Sequence, residues 1–329
     1  MKKVLITGGA GFVGRHFVKP LLDLGYEVHC VDNIIKGYGG IDPKDGWPLF
    51  EPRDYSNFKF YKEDCRKYFK RVNDDDFDYS FHLAAKVGGR LTIENDPLTV
   101  ADNLSIDSEF WNWAKLTKPK KTICFSSSAV YPIKYQRKEG YKLKEDMVSF
   151  HNEIMEPDSS YGWAKWMCEY LARLAYKKYG IKSVCYRPFS GYGEDQSNAY
   201  PFPNICKAAL DHKIDRVISM PGGGEQIRDF IYIDDCVQGV LSTMAKIDNA
   251  EAVNLSTDVP TKLSDVARVA AQICDYTPRI LSNNDVPIGV FARVGDNSKL
   301  KSLGYEFKVS LELGIRKVLN YFSKFSKKN

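Results

Sequence analysis

Histidine is scarce: the five in 329 residues do not cluster, and none of the eight cysteines stands in a CxxC pair. Without grouped ligands of either kind, no metal centre is expected. The cysteines (Cys30, Cys65, Cys124, Cys168, Cys185, Cys206, Cys236 and Cys274) are scattered. Several sit in apolar runs such as TICFSS and SVCYRP, the pattern of buried free thiols in a reducing compartment. No apolar run is long enough to span a bilayer. The start, MKKVLITGG, passes from two lysines straight into a glycine turn, unlike a signal peptide. A cytoplasmic location is the expectation. Charge of one sign is also lacking: 47 basic against 42 acidic residues leave +5, spread evenly. That excludes nucleic acid as the expected partner. Internal repeats and low-complexity tracts are absent.

Apolar side chains are plentiful, at 43%, with 20 Tyr and 18 Phe, so a sizeable core is assured. The first two hundred residues alternate short apolar runs with helical periods. Strands are predicted at Val4–Thr7, Glu27–Asp32, Phe58–Lys62, Tyr79–Leu83, Thr122–Ser126 and Ser183–Arg187. Helices are predicted at Phe12–Leu24, Ile106–Leu116 and Tyr161–Tyr179. Near-continuous apolar strands alternating with helices define an α/β protein with a doubly wound, parallel, Rossmann-type sheet. Ligands then bind at the carboxyl ends of the strands. Two stretches break the rhythm: Ile34–Asn57, rich in Gly and Pro, and Ile133–Ser159. Beyond Arg187 the elements shorten: helices near Pro203–Asp211, Cys236–Met244 and Leu263–Cys274, and a strand through Phe230–Ile233. The expected organisation is a dinucleotide-binding domain over residues 1–187 and a smaller C-terminal α/β substrate lobe over 188–329, with the chain free to cross between them.

The segment TGGAGFVG sets Gly8, Gly11 and Gly14 between a strand and a helix. Bare Cα atoms let the turn approach a pyrophosphate, and the helix opening at Phe12 offers N–H groups and the positive end of its dipole. Asp32 ends the second strand eighteen residues past Gly14. There its carboxylate can accept both ribose hydroxyls and repel a 2′-phosphate, which favours NAD over NADP. Asp64 ends the third strand, within reach of the adenine edge.

Tyr161 and Lys165, four apart in YGWAK, share one helix face. An ammonium beside the phenol, with the positive nicotinamide ring, favours the phenolate that could take a hydroxyl proton as hydride leaves the same carbon. Ser127, in CFSSSAVYP at the end of the fifth strand, could orient the reacting oxygen; its neighbours Ser126 and Ser128 compete for that role by spacing alone.

These segments, in their order along the chain, resemble the extended short-chain dehydrogenase/reductase family, in its nucleotide-sugar epimerase and dehydratase branch. The likeness also runs through HLAAKVGG (His82–Gly89), RPFSGYG (Arg187–Gly193), IRDFIYIDD (Ile227–Asp235) and ARVGDNSKL (Ala292–Leu300). It implies NAD as cofactor and Ser127, Tyr161 and Lys165 as the catalytic trio. It implies a cofactor lining of Phe12, Val13, Asn33, Cys65, Ala84, Ala85, Lys86 and Pro188 beside the glycines, Asp32 and Asp64. Gly88, Ser128 and Ser190 would lie toward the substrate, with Arg228 and Arg293 gripping its diphosphate. It also implies a homodimer, paired through the helices at Ile106–Leu116 and Tyr161–Tyr179.

The departures narrow the reaction. Dehydratases of this branch carry Asp-Glu where this chain has Ser128-Ala129. The flanking motifs are most similar to GDP-fucose synthase and GDP-mannose 3,5-epimerase, yet both use a cysteine where Ala129 stands. Their partner His or Lys is missing too; near Asn198–Pro203 only Tyr200 can titrate. Ser190 replaces an asparagine near the diphosphate. The minimal set of Ser, Tyr, Lys and NAD remains. It points to an epimerase acting at C4 through a transient 4-keto sugar, and the likeness of the flanking motifs to GDP-sugar enzymes implies a GDP sugar over a UDP sugar. The alternatives are a C4 dehydrogenase or reductase of a GDP sugar, a GDP-sugar 3,5-epimerase, and a non-catalytic NAD-binding scaffold.

Overall fold

The structure, a computed structural model, describes residues 1–72, 76–87, 90–137, 140–151, 155–283, 285 and 288–325. At its centre lie seven parallel strands: β1 (Lys3–Thr7), β2 (Glu27–Asp32), β3 (Phe58–Lys62), β4 (Tyr79–His82), β5 (Lys121–Phe125), β6 (Ser183–Pro188) and β7 (Asn249–Leu255). Their order is β7-β6-β5-β4-β1-β2-β3. All six neighbouring pairs are parallel, as the near-continuous apolar runs require. Every residue of β5 is buried, and four of five in β1. The chain runs outward from β1 through β2 and β3, then restarts on its other side at β4. That reversal opens a crevice above the carboxyl ends of β1 and β4.

Three helices matter most for the site: α1 (Phe12–Asp23), α2 (Asn103–Thr117) and α3 (Ser159–Tyr179). α3 ends on Gly180 in the left-handed region, a usual helix stop. On α1 the fully buried Phe17 packs against Phe81 of β4 and Phe125 of β5, ring centroids 5.2 and 5.5 Å apart. This seats the helix against the strands whose ends form the crevice.

A second, smaller sheet takes Pro260–Lys262, Ile227–Tyr232, Ala292–Gly295 and Lys142–Leu143 in that order, and Ser190–Tyr192 pairs with Ile227–Tyr232. The chain therefore crosses between the two sheets repeatedly: Lys142–Leu143 joins the small sheet before β6, and β7 returns to the large one after Ile227–Tyr232. The strand expected at Phe230–Ile233 spans Ile227–Tyr232, and the following helix starts at Ile233. Asp234 and Asp235 fall in its first turn, where the dipole favours them. The aperiodic stretch after β2 holds two short 3-10 turns, Pro43–Asp45 and Pro52–Asp54. Trp47, Phe50, Tyr55 and Phe58 order it by edge-on ring packing. All eight cysteines are free and buried. Among the described residues no helix is long and apolar enough to cross a membrane.

Removing the ring by Phe17→Ala should cost about 3–5 kcal/mol of stability, read as a lowered urea midpoint. A loss below about 1 kcal/mol would mean that this helix is not seated by Phe17.

Candidate active site

The crevice is a single cleft of about 580 Å³. Every site residue inferred from the sequence lines it except Gly88, which lies outside the described residues. The glycine turn forms its floor. Gly8 adopts φ +71°, and a Cβ there would meet the Ala84 nitrogen at 2.7 Å. A Cβ on Gly14 would lie 2.4 Å from the Gly8 oxygen. The turn thus depends on glycine both for its own fold and for its contact with the end of β4. Gly11 precedes α1 without a side-chain cap, and no acidic residue stands in the helix's first turn, so its N–H groups stay open to an anion in the cleft.

At the end of β2, Asp32 accepts hydrogen bonds from the Ala10 and Ile34 N–H groups at 3.1 and 2.8 Å. Burial raises its carboxyl pKa, and these backbone bonds oppose the rise. Asp64 caps the helix Cys65–Arg71 and pairs with Arg66 at 2.7 Å, which holds its carboxyl below the usual range. Its carboxylate thus serves Arg66, whose other nitrogen reaches Asp102 at 2.8 Å. Beyond β4, the Asn103 amide brackets the backbone of Lys86, accepting at 2.7 Å and donating at 2.9 Å. The Lys86 ammonium pairs with Asp102 at 2.9 Å. Glycine cradle, open helix start and strand-end carboxylate together fit NAD.

Beside the neighbouring strand ends, α3 and the turn after β5 bring together the residues expected to be catalytic. Lys165 is 3% exposed, donates to the Phe125 carbonyl at 2.9 Å and sits 5.9 Å from the centre of the Tyr161 ring. Burial opposes its charge, but Tyr161, Asp107 and two thiols outweigh that and hold its pKa above the ordinary lysine value. Among the serines, Ser126 gives its hydroxyl to the buried Glu169 at 2.6 Å. Ser127 accepts from the Ala129 N–H at 3.1 Å and keeps its own proton for a ligand, half-buried at the cleft. The structure thereby sets Ser126 apart from Ser127, which spacing left equivalent.

Behind them Glu169 meets Arg187 in a two-pronged pair at 2.8 and 2.7 Å, both side chains shut from water. His82 lies 2.9 Å from both Thr7 and Asp107 and stacks on Phe110; burial lowers its pKa and favours the neutral ring.

On the lobe side, Arg228 and Arg293 are register partners on adjacent parallel strands, so their side chains leave the sheet together. Arg293 is steadied by Gln136 and Asp158, and Arg228 donates to the Ile227 carbonyl at 2.8 Å. Ser190 and Pro188 line the wall between the halves. Sequence patterns missed Asn103, Arg66 and Glu169, because their roles arise from contacts with distant segments. They also left Tyr38 and Ile41 unassigned, although both line the cleft.

Such a cleft defines a dinucleotide-dependent enzyme of the short-chain dehydrogenase type. Residues 4–256 match the model of the NAD dependent epimerase/dehydratase family, and the chain belongs to that family. It is similar to a GDP-mannose 3,5-epimerase of rice, 28% identical over 95% of this chain and 80% of that one. It is 27% identical to a UDP-glucuronate 4-epimerase of Thermodesulfobacterium geofontis, over 96% and 95% of the two chains. Among solved structures it resembles UDP-glucuronic acid 4-epimerase of Bacillus cereus in complex with UDP-glucuronic acid and NAD. That match has 27% identity and a TM-score of 0.80, over 98% and 99% of the chains.

Replacing Arg187 with Met strands the Glu169 carboxylate in the interior. The expected cost is about 3–5 kcal/mol by chemical denaturation. A Glu169→Gln/Arg187→Met double variant should recover part of it, and failure to do so would place the loss elsewhere.

Proposed function

We propose that this enzyme epimerises a nucleotide sugar at C4 through a transient 4-keto sugar. The observation that carries it is the meeting of Tyr161, Lys165 and the Ser127 hydroxyl in the cleft that holds the glycine turn and Asp32. NAD, when bound, supplies a hydride acceptor at the sugar carbon and returns the hydride. The chain's own residues do the rest. Tyr161 takes the proton of the sugar hydroxyl as a phenolate, whose charge the Lys165 ammonium balances until the proton arrives. Ser127 donates to the reacting oxygen and holds it toward Tyr161. Arg228 and Arg293 grip the diphosphate, leaving the sugar free to present its other face before the proton returns.

A 3,5-epimerisation lacks a residue. Ala129 is buried and has no acid or base to offer for 3,5-epimerisation. Tyr200 faces the cleft, but burial, and then the charge of Tyr161, push its pKa up to about 12, so at neutral pH it donates and does not abstract. A C4 dehydrogenase or reductase of a GDP sugar ranks second, and an NAD-binding scaffold last, since all three catalytic side chains are kept. For the nucleotide, the B. cereus and T. geofontis relatives favour a UDP sugar. The flanking motifs and the rice relative support a GDP sugar as the second candidate. The eight buried free thiols support a cytoplasmic location.

Tyr161→Phe should lower kcat by about 10²–10⁴-fold while NAD stays bound. Turnover at the wild-type rate would sink the mechanism. Incubation with UDP- and GDP-sugars in deuterated water, read by mass spectrometry, should give an isomer without deuterium at C3 or C5. Wash-in there would favour 3,5-epimerisation. We further infer a homodimer through α2 and α3, where Leu104, Leu116, Trp163, Met167 and Tyr170 stay exposed. Light scattering should give a dimer mass for the wild type and a monomer for Trp163→Glu/Met167→Glu.

A further inference from the structure

Arg15 belongs to none of the roles above, yet it is 2% exposed and its guanidinium ties together three separate segments. Nη1 donates to the Ala10 carbonyl in the glycine turn at 2.6 Å and to the Gly39 carbonyl at 3.1 Å. Nε and Nη2 hold the Asp195 carboxylate at 3.0 and 2.7 Å. The other Asp195 oxygen lies 2.8 Å from His16 Nε2. That imidazole packs edge-on against Phe12, which lines the cleft.

Each end of this knot leads to a different wall. Ala10 gives its N–H to Asp32 and its carbonyl to both Arg15 and the Ile41 N–H, so it belongs to the dinucleotide side. Asp195 opens the stretch containing Gln196, Ser197 and Tyr200, which line the same cleft near Tyr161 and Arg228. Gln196 donates to the Gly191 carbonyl at 3.0 Å, and the Tyr200 hydroxyl reaches the Val87 carbonyl at 3.5 Å.

We propose that Arg15, through Asp195, is a positioning residue that couples the two halves of the site. Filling the dinucleotide side stiffens the lobe segment that meets the nucleotide sugar, and filling the sugar side tightens the hold on NAD. The pairing is buried, so its geometry is discrete, and neither end moves without unseating a carboxylate or a carbonyl from a guanidinium. A coupling of this kind is reciprocal by thermodynamic necessity. It suits an enzyme that must keep its cofactor through both half-reactions and release only the sugar nucleotide. The inference rests on the cleft taking a nucleoside diphosphate, as proposed above.

The test follows NAD release from the purified holoenzyme, with UDP or GDP as probe. In the wild type at least one nucleotide should slow release about five-fold or more. In Arg15→Gln that protection should fall toward one, whatever the absolute rate, while Tyr161→Phe keeps it. Arg15→Lys, which keeps the charge but not the planar fork, should restore part of it. If Arg15→Gln does not fold or hold NAD, Asp195→Asn probes the same link from the lobe without altering the glycine turn. Equal protection in wild type and Asp195→Asn, with only a shift in Tm, would reduce the pair to a structural brace. No protection by either nucleotide in the wild type would overturn the coupling as well. Protection without turnover of any sugar nucleotide would instead sink the proposed reaction and leave the coupling standing.

Discussion

Glu169 on α3 and Arg187 on β6, both closed off from water, decide where the helix carrying Tyr161 lies against the sheet. A charge in that interior is tolerable only while its partner is present and its remaining donors and acceptors are filled. Ser126, Tyr131 and the Glu145 carbonyl fill them. One pair thereby registers three elements, the end of β5, α3 and β6, with Ser127, Lys165 and Pro188 projecting from them. Apolar packing alone would allow sliding along the helix; a two-pronged ion pair tolerates little.

The same logic recurs around the cleft at smaller scale. The Asn103 amide fixes the backbone beyond β4, Asp64 and Asp102 fix Arg66, and Asp229, fully buried, gathers Ser256, Thr257 and Gly295 where the small sheet meets the large one. Several buried polar groups in this protein hold segments distant in sequence together at the carboxyl edge. The apolar residues of the strands supply the stability, and these networks supply the registration.

Much of the candidate site is legible in the sequence. The glycines, Asp32, and the Tyr161–Lys165 spacing carry their meaning locally: a turn needing bare Cα atoms, a strand-end acid, and two residues one helical turn apart. Glu169 was invisible for the opposite reason. It reads as an ordinary helix residue, and only the arrival of Arg187 from the sixth strand gives it a task. Spacing likewise left Ser126, Ser127 and Ser128 open, since it cannot tell which hydroxyl a distant carboxylate will consume.

From the residues alone came the doubly wound sheet, the glycine turn with its strand-end acid, and the pairing of Tyr161 and Lys165 on one helix face, because period and spacing act within one element. Folding in three dimensions decided what lies opposite what. It set Arg228 beside Arg293, turned Ser126 inward, and brought Asp195 from 180 residues away onto Arg15. Those outcomes depend on strand order and on which buried charge finds a partner, and neither is written in any single stretch of chain.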